Sequence, residues 1–135
     1  MLESGNINMA KIKNIPCDIF KRDIDVFIGS YEELCKYAKK HLKKDPLLDE
    51  ITDNTPDYAA CFYFRADGTG IIHLLKFPTT PEEIGHASHE SLHAAMRLCW
   101  YCGVDYTPGA PNETFTYLQE WILLNILTKK GYKKV

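Results

Sequence analysis

The chain has 135 residues with 16 basic and 18 acidic side chains, a formal charge of −2, and 45% hydrophobic and 25% charged residues. That is one domain's worth of ordinary globular composition, which excludes collagen-like, low-complexity and wholly disordered descriptions. There is no basic excess to hold a phosphate backbone and no apolar run near the roughly 20 residues that span a bilayer, so neither nucleic acid nor a membrane is an expected partner.

The first ten residues, MLESGNINMA, are polar and read as a flexible extension with no apolar signal-peptide core. Met9 is a candidate natural start, and residues 11–135 are expected to form a single domain. Residues 16–20 (PCDIF) and 24–28 (IDVFI) read as two short strands about a Lys21-Arg22-Asp23 turn. Ser30 and Glu33 have capping-box spacing, and Leu34, Tyr37, Ala38 and Leu42 recur at helical intervals, which predicts a helix over 31–43. Pro46, Asp49, Asp53, Asn54 and Pro56 make 44–57 a loop. The runs YAACFYFR (58–65) and IIHLLKF (71–77) flank Asp67-Gly68-Thr69-Gly70 and predict a hairpin. Thr80 is a candidate cap before Pro81, opening a helix that runs to about Cys102 and stops at Gly103. After a loop over 104–111, a last helix is expected from Pro111 or Asn112 to about Lys130. The order β-β-α-β-β-α-α predicts an α+β domain.

The cysteines, Cys17, Cys35, Cys61, Cys99 and Cys102, are odd in number and irregular in spacing. With no secretion signal, reduced thiols in a cytoplasm are expected. Cys99 and Cys102 have CxxC spacing but end a helix instead of following a strand. They read as two small apolar side chains one turn apart.

The residues that carry chemistry are His89-Glu90-Ser91-Leu92-His93, an HExxH. On a helix, residues four apart lie on one face about 6 Å apart, so two imidazoles can grip one cation. Glu90 sits 100° round, near such an ion without being needed as a ligand. That is the arrangement in which a carboxylate takes the proton of a metal-activated water. Shuffling this composition yields roughly 0.01 expected matches per chain, and this match falls in a strongly predicted helix. On the helical wheel Ile84, Leu92, Ala95, Leu98, Cys99 and Cys102 mark a core face. His86, His89, Glu90, His93 and Arg97 lie opposite. His86 fits three descriptions: an extra ligand, a hydrogen-bond donor in the transition state, or a surface histidine. Arg97 is one turn past His93 and reads as a solvated or salt-bridged arginine before it reads as one that pairs with an acid or a substrate carboxylate.

A catalytic zinc needs a third protein ligand and an open position. The downstream candidates are Asp105, Glu113 and Glu120. Glu113 and Glu120 are about 10 Å apart along a helix axis, so they cannot both bind one ion. A tight hairpin turning at Tyr106–Thr107 sets His93 opposite Glu120. A long connection that runs back beside the first helix favours Glu113 instead.

His89-Glu90-Ser91-Leu92-His93 followed by Asn112-Glu113, twenty positions after His93, resembles the gluzincin metallopeptidases. The stretch from Gly85-His86 to Tyr117-Leu118 is also similar to small HExxH proteins of phages and bacteria, and the hairpin before the helix to minimal zincin domains. The resemblance covers about residues 58–127. It implies a minimal zincin-like fold, with a small antiparallel sheet packed on the HExxH helix and the helix that follows. It implies a zinc-dependent metallopeptidase with His89, His93 and Glu113 as metal ligands and Glu90 as general base, acting on a peptide or protein substrate. Tyr117, Tyr106 or His86 would donate to the oxyanion, and the strand over 71–77 would hold an extended substrate. Tyr117 stands where the thermolysin-like branch has an aspartate, so a ligand histidine lacks its usual carboxylate partner. That departure, with the lack of a second lobe, keeps an alternative in view: a non-catalytic zinc-binding phage or host-interaction module on a zincin fold.

Overall fold

The computed structural model describes residues 9–54 and 56–135. The first strand, β1, is Lys11–Cys17 and starts five residues before the expected 16–20. Lysines at 11 and 13 make this stretch look like polar linker. Yet Lys13, Ile15 and Cys17 alternate inward. Lys13 is tolerated inside because its ammonium donates to the Asn125 and Thr128 carbonyls at 2.7 and 2.9 Å. Asp18–Phe20, read as the end of a strand, is a 3-10 turn closed by Lys21 in the left-handed region at φ 54°. Strand β2, Arg22–Ile28, pairs antiparallel with β1 from Lys11↔Ile28 to Cys17↔Arg22.

Helix α1, Tyr31–His41, opens on the expected capping box, with Ser30 Oγ accepting from Glu33 N and Glu33 accepting from Ser30 N. The expected loop over 44–57 contains a short helix, α2, Leu47–Thr52. Asp45 Oδ1 accepts from Leu47 N, and its carboxylate is forked by Arg65 at 2.6–3.0 Å. Leu47 and Ile51, one turn apart, are fully buried. Asn54 begins the stretch that leads to strand β3, Ala60–Phe64, which forms a hairpin with β4, Gly70–Leu74. The turn is closed by Arg65 N donating to Thr69 O and by Asp67 Oδ1 accepting from Thr69. Two helices follow: α3, Pro81–Tyr101, and α4, Glu113–Leu127. A short strand, β5, Lys133–Lys134, pairs with Lys11 and Ile12.

The class is α+β, but the sheet is mixed, not antiparallel. Its order is β3-β4-β2-β1-β5, and β2 and β4 run parallel. A parallel pair needs a long crossover, which α1, α2 and β3 supply. That crossover puts α1 and α2 on one face of the sheet, against Phe27, Tyr63 and Ile71. Helices α3 and α4 cover the other face, against Ile24, Val26, Phe62 and Ile72. Strand β4 is therefore buried along its whole length, which explains why it lacks apolar–polar alternation and carries a single polar side chain, His73. Both its edges are taken, so the strand expected to hold a substrate cannot pair with one. The open edge beside α3 belongs to β3. Of the flexible extension expected over 1–10, Ala10 belongs to the fold: it is buried and its carbonyl accepts from Val135 N. Residues 1–8, which hold the rest of that expectation, lie outside the described residues. Among the described residues no helix is long and apolar enough to cross a membrane.

His73 on β4 is fully buried in a chain of polar groups. Its Nε2–H donates to Gly29 O at 2.8 Å, so Nδ1 accepts from Tyr58 OH at 2.7 Å. Tyr58 in turn accepts from Tyr63 OH, which accepts from Asn54 Nδ2. Burial holds the imidazole below its ordinary pKa, against the opposing effect of the Gly29 carbonyl. The unfolded chain therefore binds a proton on His73 at a pH where the fold does not. Stability contributed by this group is present above about pH 6.5 and is lost as pH falls below it. Urea midpoints at pH 7.5 and 5.5 check this. The midpoint is expected to drop at the lower pH, and Tyr58→Phe, which orphans the buried Nδ1, to cost about 1–3 kcal/mol at pH 7.5.

Candidate metal centre

Helix α3 begins as expected, with Thr80 Oγ1 accepting from Glu83 N, Glu83 accepting from Thr80 N, and Pro81 in the first turn. Its buried face differs from the expected one. Ala87, Glu90, Ser91, Ala94, Ala95, Leu98 and Cys99 are buried, whereas Leu92 is 41% exposed and Cys102 is exposed. Small side chains, not the largest apolar ones, meet the sheet. The hairpin turn seats against the helix backbone at Gly68, where a Cβ would stand 3.0 Å from Leu98 Cα and φ is +86°. The helix is thus rotated so that Glu90 turns toward β3 while both histidines face outward.

His89 and His93 point their Nε2 atoms at one another, 3.1 Å apart, with ring planes at 71°. Two imidazoles bound to a tetrahedral zinc at 2.0–2.1 Å hold their nitrogens about 3.3–3.4 Å apart. The two rings share a hydrogen bond between these nitrogens, which leaves them a few tenths of an ångström closer than two ligands of such an ion. Glu90 Oε2 lies 3.8 Å from His89 Nε2, and its side chain is only 11% exposed against 67% for His89. Glu90 and His93 sit at one end of an open groove of about 510 Å³ between α3 and β3. The other walls are Ala60, Cys61, Phe62, Phe64, Met96, Arg97 and Trp100. Burial, then the negative charge of Glu90, push the Cys61 thiol up from its ordinary pKa, so it stays protonated at neutral pH. It is no activated nucleophile.

The other expected site residues lie elsewhere. Glu113 and Tyr117 line a separate groove with Pro16, Phe20 and Trp121, and Glu113 accepts from Thr116 Oγ1. His86 lines a third, smaller one with Pro78 and Glu82. Glu120 is exposed beside Gln119, whose amide donates to Ser88 O and Oγ. Tyr106 is 65% exposed, its ring edge-on to Phe115. Among the described residues no three His, Cys, Asp or Glu side chains are gathered to hold a metal ion. The geometric reason is the flank that α4 occupies. It packs on α3 at Ser88, about 100° and 140° around the axis from His89 and His93. The residues present fit two ligand positions of a zinc site, and the triad with Glu113 is not assembled.

Asn112 begins α4 as the Asn-Glu pair implies, though in a different capacity. It sits in the left-handed region, and its side chain bonds Thr107 N, Thr107 O and Ala110 O. It ties the loop shut. Sequence reasoning passed over Cys61, Phe64 and Trp100 as groove walls. The available signal was Met96 and Trp100 at i, i+4 beside His93 and Arg97, together with the aromatic run on β3. In comparisons with known proteins, no family model, curated protein or solved structure matches this chain.

Replacing either His89 or His93 by Ala is expected to abolish tight zinc binding. Elemental analysis after dialysis should read about one zinc per chain in the unaltered protein and none in either variant. Full occupancy in both variants counts against the imidazole pair.

Proposed function

We propose that this chain is a small zinc-dependent metallopeptidase acting on an extended peptide or protein segment. The observation that carries the reading is the convergence of the His89 and His93 imidazoles beside Glu90, at the mouth of a groove that runs along an open sheet edge. His89 and His93 would hold the ion. Zinc bound there supplies Lewis acidity, polarising a carbonyl and making water acidic enough to lose a proton near neutral pH. Glu90 accepts the proton of the attacking water and returns it to the leaving amine. Its enclosure between α3 and β3 fixes the carboxylate in place for both transfers. The free edge of β3 supports backbone pairing with an extended substrate in the same groove. A cytoplasmic setting is proposed from the odd cysteine count.

Glu113 is the proposed third ligand, and Tyr117 and His86 the proposed oxyanion donors. These three rest on the sequence pattern and the gluzincin resemblance, since each lines a groove other than that of Glu90 and His93. The ungathered third ligand favours a second reading, a zinc-binding phage or host-interaction module that hydrolyses nothing. Exposed Met96, Trp100 and Tyr101 would then serve as a contact surface.

Two measurements test these readings. Glu90→Gln is expected to keep fold and zinc but to lower peptide hydrolysis by about 100-fold or more, because an amide cannot accept the proton. Turnover equal to that of the unaltered protein removes Glu90 as the base, and absence of turnover in both supports the non-catalytic module. In zinc titrations, Glu113→Ala is expected to weaken affinity by orders of magnitude and Glu120→Ala by about 10–100-fold at most. The reverse order makes Glu120 the ligand.

A further inference from the structure

We infer that the groove between α3 and β3 is a carboxylate-reading peptide subsite, with Arg97 as its anion receptor. Arg97 is half-buried on the groove wall. Its guanidinium carbon lies 3.8 Å from the centre of the Phe64 ring and 5.4 Å from that of Trp100. Among the described residues no carboxylate and no carbonyl pairs with it. That is unlike Arg65, whose charge is fully engaged by Asp45. The guanidinium rests over the Phe64 ring with Trp100 beside it, and a guanidinium held against a ring can still present its N–H donors at its edge. A planar fork of free donors, held in place by stacking, suits a carboxylate. Phe62, Phe64, Met96 and Trp100 supply apolar walls beside that fork on which the rest of a peptide can pack.

Position supplies the rest. Arg97 is one helical turn past His93, about 6 Å along the axis, or about two residues of extended chain. The acidic end of the groove is Glu90 and the basic end is Arg97, with apolar side chains between them. An extended peptide that fits this polarity carries its carboxylate about two residues from the segment beside Glu90 and His93, and a bulky apolar side chain in between. The naming of a peptide as ligand rests on the metallopeptidase reading; the anion receptor does not. The carboxylate has two possible sources, the C-terminus of the peptide or an acidic side chain.

The test is fluorescence anisotropy on the full chain, as purified and again after chelator treatment. Three labelled probes are used: Gly-Ala-Ala-Leu-Phe with a free C-terminus, the same pentapeptide amidated, and amidated Gly-Ala-Leu-Phe-Glu. The free acid is expected to bind about 10-fold more tightly than its amide. Arg97→Gln is expected to erase that ratio while leaving affinity for the amide unchanged. If the amidated peptide with Glu matches the free acid, the carboxylate read is a side chain; if it matches the amide, it is the C-terminus. Equal binding of acid and amide by the unaltered protein overturns the inference. So does a loss of all binding in Arg97→Gln, or no binding of any probe at millimolar concentration. Discrimination that persists in a protein found to hold no zinc upholds the subsite and overturns the metallopeptidase reading. One zinc per chain with no discrimination overturns the subsite and leaves both zinc-binding readings standing.

Discussion

The close seating of α3 on the sheet is the constraint on which the rest of the molecule depends. It is made possible by Ala87, Ser91, Ala94 and Ala95, and by the missing side chain at Gly68. Small residues let a helix approach at short range, and at short range its rotation about its own axis is no longer adjustable. Everything chemical on this helix follows from that rotation. It turns Glu90 into the space beside β3, leaves two imidazoles at the surface with their nitrogens converging, and lays Arg97 across Phe64.

The same seating divides the two sides of α3 between different neighbours. One flank receives α4, through Ser88 and Gln119; the other receives β3, through the groove. Side chains at the start of α4 therefore look toward the 3-10 turn and Trp121, and side chains on the β3 flank look toward one another. Polar groups are also segregated by face. The buried Tyr58–Tyr63–His73 chain lies on the α1–α2 face, where every member has a partner. The open groove, with an unpartnered guanidinium, lies beside α3. The first arrangement rigidifies, and the second leaves donors for something else to meet.

Much of this was readable from residues alone, and the failures have physical causes. Both capping boxes, the Asp67–Gly70 turn and the length of α3 follow from local chemistry, which acts over three or four residues. The strand order does not, because inserting β4 between β3 and β2 is a tertiary choice that leaves only a run without alternation behind. Strand β1 was obscured by Lys13, whose inward position makes sense only once the carbonyls of Asn125 and Thr128 are there to receive it. Helix α2 was obscured by its brevity, and its packing by Leu47 and Ile51 has no periodicity to detect. For the site, the helical spacing of His89, Glu90 and His93 carried over directly into geometry. The wheel of α3 misled because hydrophobicity ranked Leu92 above Ser91, whereas size decided which of them is buried. The groove needed β3 and α3 together, 30 residues apart, and no local pattern joins Phe64 to Arg97.

The lysine beneath β1 bears on how the chain is made as well as on how it is held. Its ammonium reaches carbonyls 112 and 115 residues downstream, and the backbone of Ala10 meets that of Val135. The first strand is thus closed by the last helix and the residues after it. During synthesis at about 5–20 residues per second, this buried cation has no receiving carbonyls until α4 has been made. Until then β1 presents an open edge with a charge on its inner side, which disfavours premature pairing with a neighbouring nascent chain. The charge that delays completion of the sheet also guards it in the interval.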